Sequence, residues 1–214
     1  MNRRLSRAAA ALTVSAALLM TSCGNDGNTP KYTAKPNSPT SPSAPGKSAR
    51  TASDRPRLEL PSDLTYEFEW SRTGDKAKDA VLADTEQYLK ATDMAIAEQD
   101  PLHRAYRFYS EGDAAAGSQK FVQEYVDYKD RITGSKRYFR ARVDVTGGRR
   151  ASLMYCEDQR KAHNKSLETG KTAKAAPPSQ DDFVLYSSRL HLNQQGVWVT
   201  AKTTADRGNT ACRP

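Results

Sequence analysis

No run of apolar residues in this chain is long enough to read as a permanent membrane span. The most apolar stretch, Ala8 to Met20, has about 13 residues, which at ~1.5 Å each reach ~20 Å as a helix, short of the ~30 Å hydrocarbon core of a bilayer. Short catalytic signatures are missing too. There is no GxSxG, no P-loop and no GxGxxG, and His103, His163 and His191 stand apart without HExxH or HxxxH spacing. No residue is therefore assigned a catalytic, cofactor-binding or metal-ligating role. Cysteine is scarce, Cys23, Cys156 and Cys212 being all there are, and no CxxC pair suggests a zinc site. Between Gly24 and Leu58 large apolar residues all but vanish, leaving Tyr32 and Leu58. Such a segment buries too little surface to offset its chain entropy.

What is present begins with an export leader. Arg3, Arg4 and Arg7 precede the short apolar run, the basic and hydrophobic parts of a secretory signal. The small residues Thr21 and Ser22 followed by Cys23 resemble the bacterial lipobox. That resemblance implies a diacylglyceryl group on the Cys23 thiol and cleavage just before it. The match departs at Met20, where Leu is preferred; Leu19 stands one residue further back. The bland alternative is a secreted protein with Cys23 left as a thiol, and Arg3-Arg4 alone is a weak twin-arginine signal. Residues 1–22 thus read as a lipoprotein signal peptide, 23–58 as the lipidated cysteine with a Pro/Ser/Lys-rich disordered tether, and 59–214 as one domain. The expected location is the extracytoplasmic face of the bacterial cell membrane.

The tether holds six of the eleven prolines, Pro30, Pro36, Pro39, Pro42, Pro45 and Pro56, and reads as a partly stiff spacer. It also holds much of the charge. Of the formal +8, the leader carries +3 and residues 24–58 carry +4, leaving +1 for residues 59–214. A basic nucleic-acid face on the folded part is thereby disfavoured. Beside an anionic membrane surface the spacer cations are worth up to ~1 kcal/mol each, although plain solubility explains them equally well. Binding of peptidoglycan or teichoic acid draws on those cations alone.

Residues 59–214 are enough for one domain with a real core. Leu64, Tyr66, Phe68 and Trp70 alternate with polar residues, which predicts an extended segment laid on a core. Gly74-Asp75 opens a helix to about Gln99, its apolar stripe set by Val81/Leu82, Tyr88/Leu89 and Ala95/Ile96. Asp100-Pro101 is expected to start a second, short helix with Leu102, Tyr106 and Tyr109 inward. A third is expected over about Ala115 to Lys129, carrying Phe121, Val122, Tyr125 and Val126. The period then becomes two. Phe139, Ala141, Val143 and Val145 share one predicted strand face, opposite Tyr138, Arg140, Arg142 and Asp144. Gly147-Gly148 signals a hairpin into a strand over Ala151 to Asp158. Gln159 to Asp181 reads as a long mobile loop. Strands over Phe183 to Leu192 and Val197 to Thr204 follow, joined by a turn over Asn193 to Gly196. Helices followed by antiparallel strands predict an α+β layer arrangement.

That order resembles the nuclear transport factor two-like fold, three helices packed on a curved antiparallel sheet that forms a cone. More narrowly, the chain resembles a set of actinobacterial secreted lipoproteins of that fold. The pieces carrying the likeness are the lipobox, Phe68-Glu69-Trp70 before Thr73-Gly74-Asp75, Cys156-Glu157-Asp158-Gln159, Gly196-Val197-Trp198 and Cys212. They imply anchor and fold and carry no assigned reaction.

With Cys23 set aside, Cys156 and Cys212 are two thiols in an oxidising compartment and are expected to pair. A metal or redox pair is the rival reading. The resemblance also admits enzymes that use an Asp base and a Tyr within the cone. Tyr88, Tyr106, Tyr109 and Tyr125 could line such a cone, and Asp93 or Asp144 could point in, yet no spacing selects one, and ordinary core packing is the plainer reading. Glu157-Asp158 reads as a solvated turn beside the disulfide. Two function classes follow. One is a lipid-anchored, non-catalytic module binding a small apolar ligand or a cell-envelope protein. The other is a small isomerase- or dehydratase-like enzyme acting on a hydrophobic substrate. An open cavity holding a buried carboxylate of raised pKa would favour the second.

Overall fold

A computed structural model of the chain describes residues 55–175 and 177–213. The leader, Cys23 and most of the expected tether lie outside these residues. Among the described residues no helix is long and apolar enough to cross a membrane.

Helix α1 (Lys76–Ala97) starts where its cap dictates. The Asp75 carboxylate accepts from the backbone N–H groups of Ala77 and Lys78, two of the donors that helix geometry leaves free. Helix α2 (Arg104–Phe108) is shorter than the sequence suggested. Pro101 and Leu102 form a turn, and His103 caps the helix through its ring nitrogen. Leu102 is 56% exposed rather than inward, whereas Tyr106 and Tyr109 are buried. Helix α3 spans Gly112–Tyr128 and buries Val122.

Six strands form one sheet: β1 (Leu64–Glu69), β2 (Asp130–Thr146), β3 (Arg150–Asp158), β4 (Ala162–Ser166), β5 (Phe183–Leu192) and β6 (Trp198–Arg207). Their order is β1-β2-β3-β5-β6, with β4 also on β2. Strand β1 is the extended segment expected ahead of α1. One expectation needs correction here: the sheet is mixed and not wholly antiparallel, because β1 runs parallel to β2 from Leu64 opposite Gly134 to Glu69 opposite Phe139. The hairpin at Gly147-Gly148 is as expected, both glycines having the positive φ that a primed turn needs.

The expected long loop after β3 contains strand β4 and a 3-10 turn, Gln180–Asp182, closed by a Ser179 capping box. Strand β4 lacks apolar alternation, so the side-chain pattern concealed it. Its pairing is a backbone matter. Gly134 makes room for it: a Cβ there would lie 2.1 Å from the Lys161 carbonyl oxygen.

A bulge in β2 inverts the expected faces. Arg140 takes a left-handed φ of 55°, and the pairing with β3 slips between Phe139 and Arg142. One extra residue moves the alternation by one place. Tyr138 therefore shares the inner side with Ala141, Val143 and Val145, packing with Val81 and Leu82 of α1 and Leu153 and Tyr155 of β3. Phe139 packs instead in a separate small cluster with Phe183, Cys156 and Cys212.

Cys156 and Cys212 form a disulfide with Cα atoms 5.5 Å apart, and both are buried. Residues read by composition as spacer also join the domain. Leu58 packs on the helix cluster, and the Arg55 guanidinium pairs with buried Asp84, which accepts from the Trp198 backbone N–H as well.

Removing the disulfide, as Cys156→Ser with Cys212→Ser, should lower unfolding free energy by about 4 kcal/mol on chain-entropy grounds. Urea unfolding with and without reductant checks this; coincident curves would refute it.

Candidate functional site

The inner faces of α1 and α3 stand off from β2, β3, β5 and β6 and leave a cavity of about 530 Å³. Six aromatic rings contribute to its wall: Tyr88, Phe121, Tyr125, Tyr138, Tyr155 and Tyr186. The rings of Tyr155 and Tyr186 stack with centroids 5.1 Å apart, and Tyr155 meets Tyr138 edge-on at 6.0 Å. Phe121 and Asp113 form part of the solvent-facing rim; Phe121 is 40% exposed.

At the floor lies a charged group that is almost entirely buried. Asp93 of α1, Lys136 of β2 and Glu157 of β3 are all buried. The Lys136 ammonium donates to Asp93 Oδ1 and Oδ2 at 3.1 and 3.0 Å and stands 3.4 Å from Glu157 Oε1. Tyr66 donates its hydroxyl to Asp93 Oδ2 at 2.9 Å. Glu157 accepts from Tyr138 at 3.1 Å, Tyr186 at 2.9 Å and Gln159 at 2.9 Å. Five elements thus converge on one network.

Removal of a charge from water costs several kcal/mol per ion, and only good pairing offsets it. The two carboxyls respond in opposite directions. Burial raises the Asp93 pKa, and the pull of Lys136 does not fully counter it. Burial acts on Glu157 likewise, but Lys136 and the donors Gln159, Tyr186 and Tyr138 outweigh it and hold that carboxyl below its ordinary value. Lys136 is held well above its ordinary value: the carboxylates of Asp93 and Glu157 overcome its own burial. Burial pushes the Tyr125 hydroxyl up to about 12. Of the two, Asp93 is accordingly the carboxyl that takes a proton first as pH falls.

The sequence candidates divide. Asp93, Tyr88 and Tyr125 reach the cavity. Tyr88 shares a hydrogen bond of 2.6 Å with Ser118. Tyr106 and Tyr109 belong to the helix cluster, and Asp144 is exposed. Glu157 corrects the solvated-turn expectation, being 2% exposed at the cavity floor, while its neighbour Asp158 turns the other way to Arg160. Strand parity carried the signal: Ala151, Leu153, Tyr155 and Glu157 lie two apart, so Glu157 continues an inward face. Lys136 was not singled out, although it lies two residues before Tyr138. His163 lines the cavity, His103 caps α2 and His191 faces Glu111. Among the described residues no group of three or more His, Cys, Asp or Glu is placed to hold a metal. Cys23 lies outside the described residues.

Replacing Lys136 with Met should leave two buried carboxylates facing one another and cost about 3–5 kcal/mol near neutral pH. Both folded-state pKa values would then lie above their unfolded values, so stability should recover as pH falls and the carboxyls take protons. Urea unfolding at about pH 5 and pH 8 reads this; a loss independent of pH would refute it.

No protein-family model matches the chain, and no curated protein sequence does either. Among solved structures it is similar to a ketosteroid isomerase-like protein from Erwinia carotovora atroseptica, at 13% identity and a TM-score of 0.41 over 62% of this chain and 97% of that one. It is also similar to the intermembrane space region of the chloroplast protein ARC6, at 12% identity and a TM-score of 0.40 over 64% of this chain and 99% of that one. No activity is carried over from either.

Proposed function

We propose that the chain is an extracytoplasmic lipoprotein, held to the membrane through Cys23, whose nuclear transport factor two-like cone binds a small organic molecule in its cavity. The observation that carries the reading is the 530 Å³ aromatic cavity closed below by Asp93, Lys136 and Glu157. A core built only for stability gains little from a buried ion group, since apolar residues of like volume usually serve as well or better. A few polar groups at the end of an apolar pocket are what orients a small ligand.

Gly117 offers a clean test. It lies on α3, lines the cavity, and a Cβ built there meets nothing within 4 Å. Gly117→Phe, whose Cβ meets no neighbour, should project its ring into the space and abolish binding of the neutral apolar fluorophore N-phenyl-1-naphthylamine, with a cooperative thermal transition retained. Undiminished binding in that variant would place the fluorophore elsewhere and remove the cavity reading. For the anchor, Cys23→Ser should abolish lipid labelling and release the protein from membranes, as fractionation of host cells reads.

A second reading rests on Asp93 alone. A buried carboxyl with raised pKa beside the Tyr66 hydroxyl suits proton transfer on a hydrophobic substrate, as in an isomerase or dehydratase. Deuterium uptake at the carbon next to the carbonyl of a cyclic enone, lost in Asp93→Asn, is its expected sign. Equal uptake in the variant would remove it.

A further inference from the structure

Resting on the cavity reading above, we infer that the preferred ligand is an organic cation, an ammonium or similar head on an apolar body. The floor sets two buried carboxylates, Asp93 and Glu157, against one ammonium, Lys136. That ammonium is taken up by carboxylates, donating to Asp93 Oδ1 and Oδ2 and standing 3.4 Å from Glu157 Oε1. Arg207, the guanidinium in the cavity lining, is an exposed residue that bonds through Nη1 to Gln159 Oε1 at 2.8 Å and the Asp181 carbonyl at 2.7 Å, outside the buried ion group. At the buried floor an anionic head would thus meet two carboxylates and an ammonium already paired with them.

The acceptors are less fully used. Asp93 Oδ1 accepts from Lys136 alone, while Glu157 is surrounded by four donors. A carboxylate oxygen has room for two hydrogen bonds, so Asp93 Oδ1 retains a place for an ammonium proton. The wall favours the same sign. The faces of aromatic rings carry negative potential and attract cations, most strongly away from water. Of the other ionisable groups in the lining, His163 comes from β4, while Asp113 stands at the solvent-facing rim and pairs loosely with Lys202 at 3.4 Å.

A series with one body and three heads tests this: 4-phenylbutylamine, 4-phenylbutanol and 4-phenylbutyrate, each displacing N-phenyl-1-naphthylamine from the full chain near neutral pH. The amine should displace at concentrations at least about tenfold lower than the alcohol, with the carboxylate weakest. In Asp93→Asn the ratio of amine to alcohol affinity should fall toward one; Glu157→Gln provides a second variant with the same expectation. Fluorophore binding with an amine no better than the alcohol, or with the carboxylate best, overturns the inference and leaves the cavity reading standing. Fluorophore binding that survives Gly117→Phe overturns both.

Discussion

The ammonium of Lys136 is where this domain's parts are held to account. It links α1 to β2 and β3 through Asp93 and Glu157, and the hydroxyls of Tyr66 and Tyr186 tie β1 and β5 to the same carboxylates. Because the group is buried, its charges leave water only if every strand is in register. Register in turn is what a one-residue slip destroys. The ion group and the sheet therefore specify one another, and the aromatic rings occupy the volume that this agreement encloses.

Much of the fold was legible because it rests on local rules. Asp75 reads as a helix cap, Gly147-Gly148 as a primed turn, and Leu64 to Trp70 as a strand by alternation. The two cysteines left after Cys23 could be paired by elimination and compartment. The failures have physical causes. Strand β4 is specified by backbone pairing at Gly134, which no side-chain period reveals. The bulge at Arg140 asks for a left-handed backbone at an arginine, and nothing in composition marks it. Parallel pairing of β1 depends on what lies 70 residues away.

The site was half legible. Asp93 was a candidate among several, and only its burial separates it from Asp144. Acidic residues at strand ends are usually solvated, a rule that fails for Glu157 because Lys136 on the adjacent strand supplies the compensating charge. Cys156 and Glu157 are neighbours on opposite faces of β3, so one side of that strand is fixed by a disulfide and the other by an ion pair. The geometry of the carboxylate thus draws on an interaction outside the cavity.

Gly117 has a consequence for how such a site changes over generations. In most cores a larger side chain displaces its neighbours and costs stability. Here the position sits on a helix, with ordinary backbone angles and open space before it. Residues larger than glycine, proline apart, improve helix propensity while they shorten the cavity. The space can thus narrow in small steps without a stability barrier, independently of the charged floor.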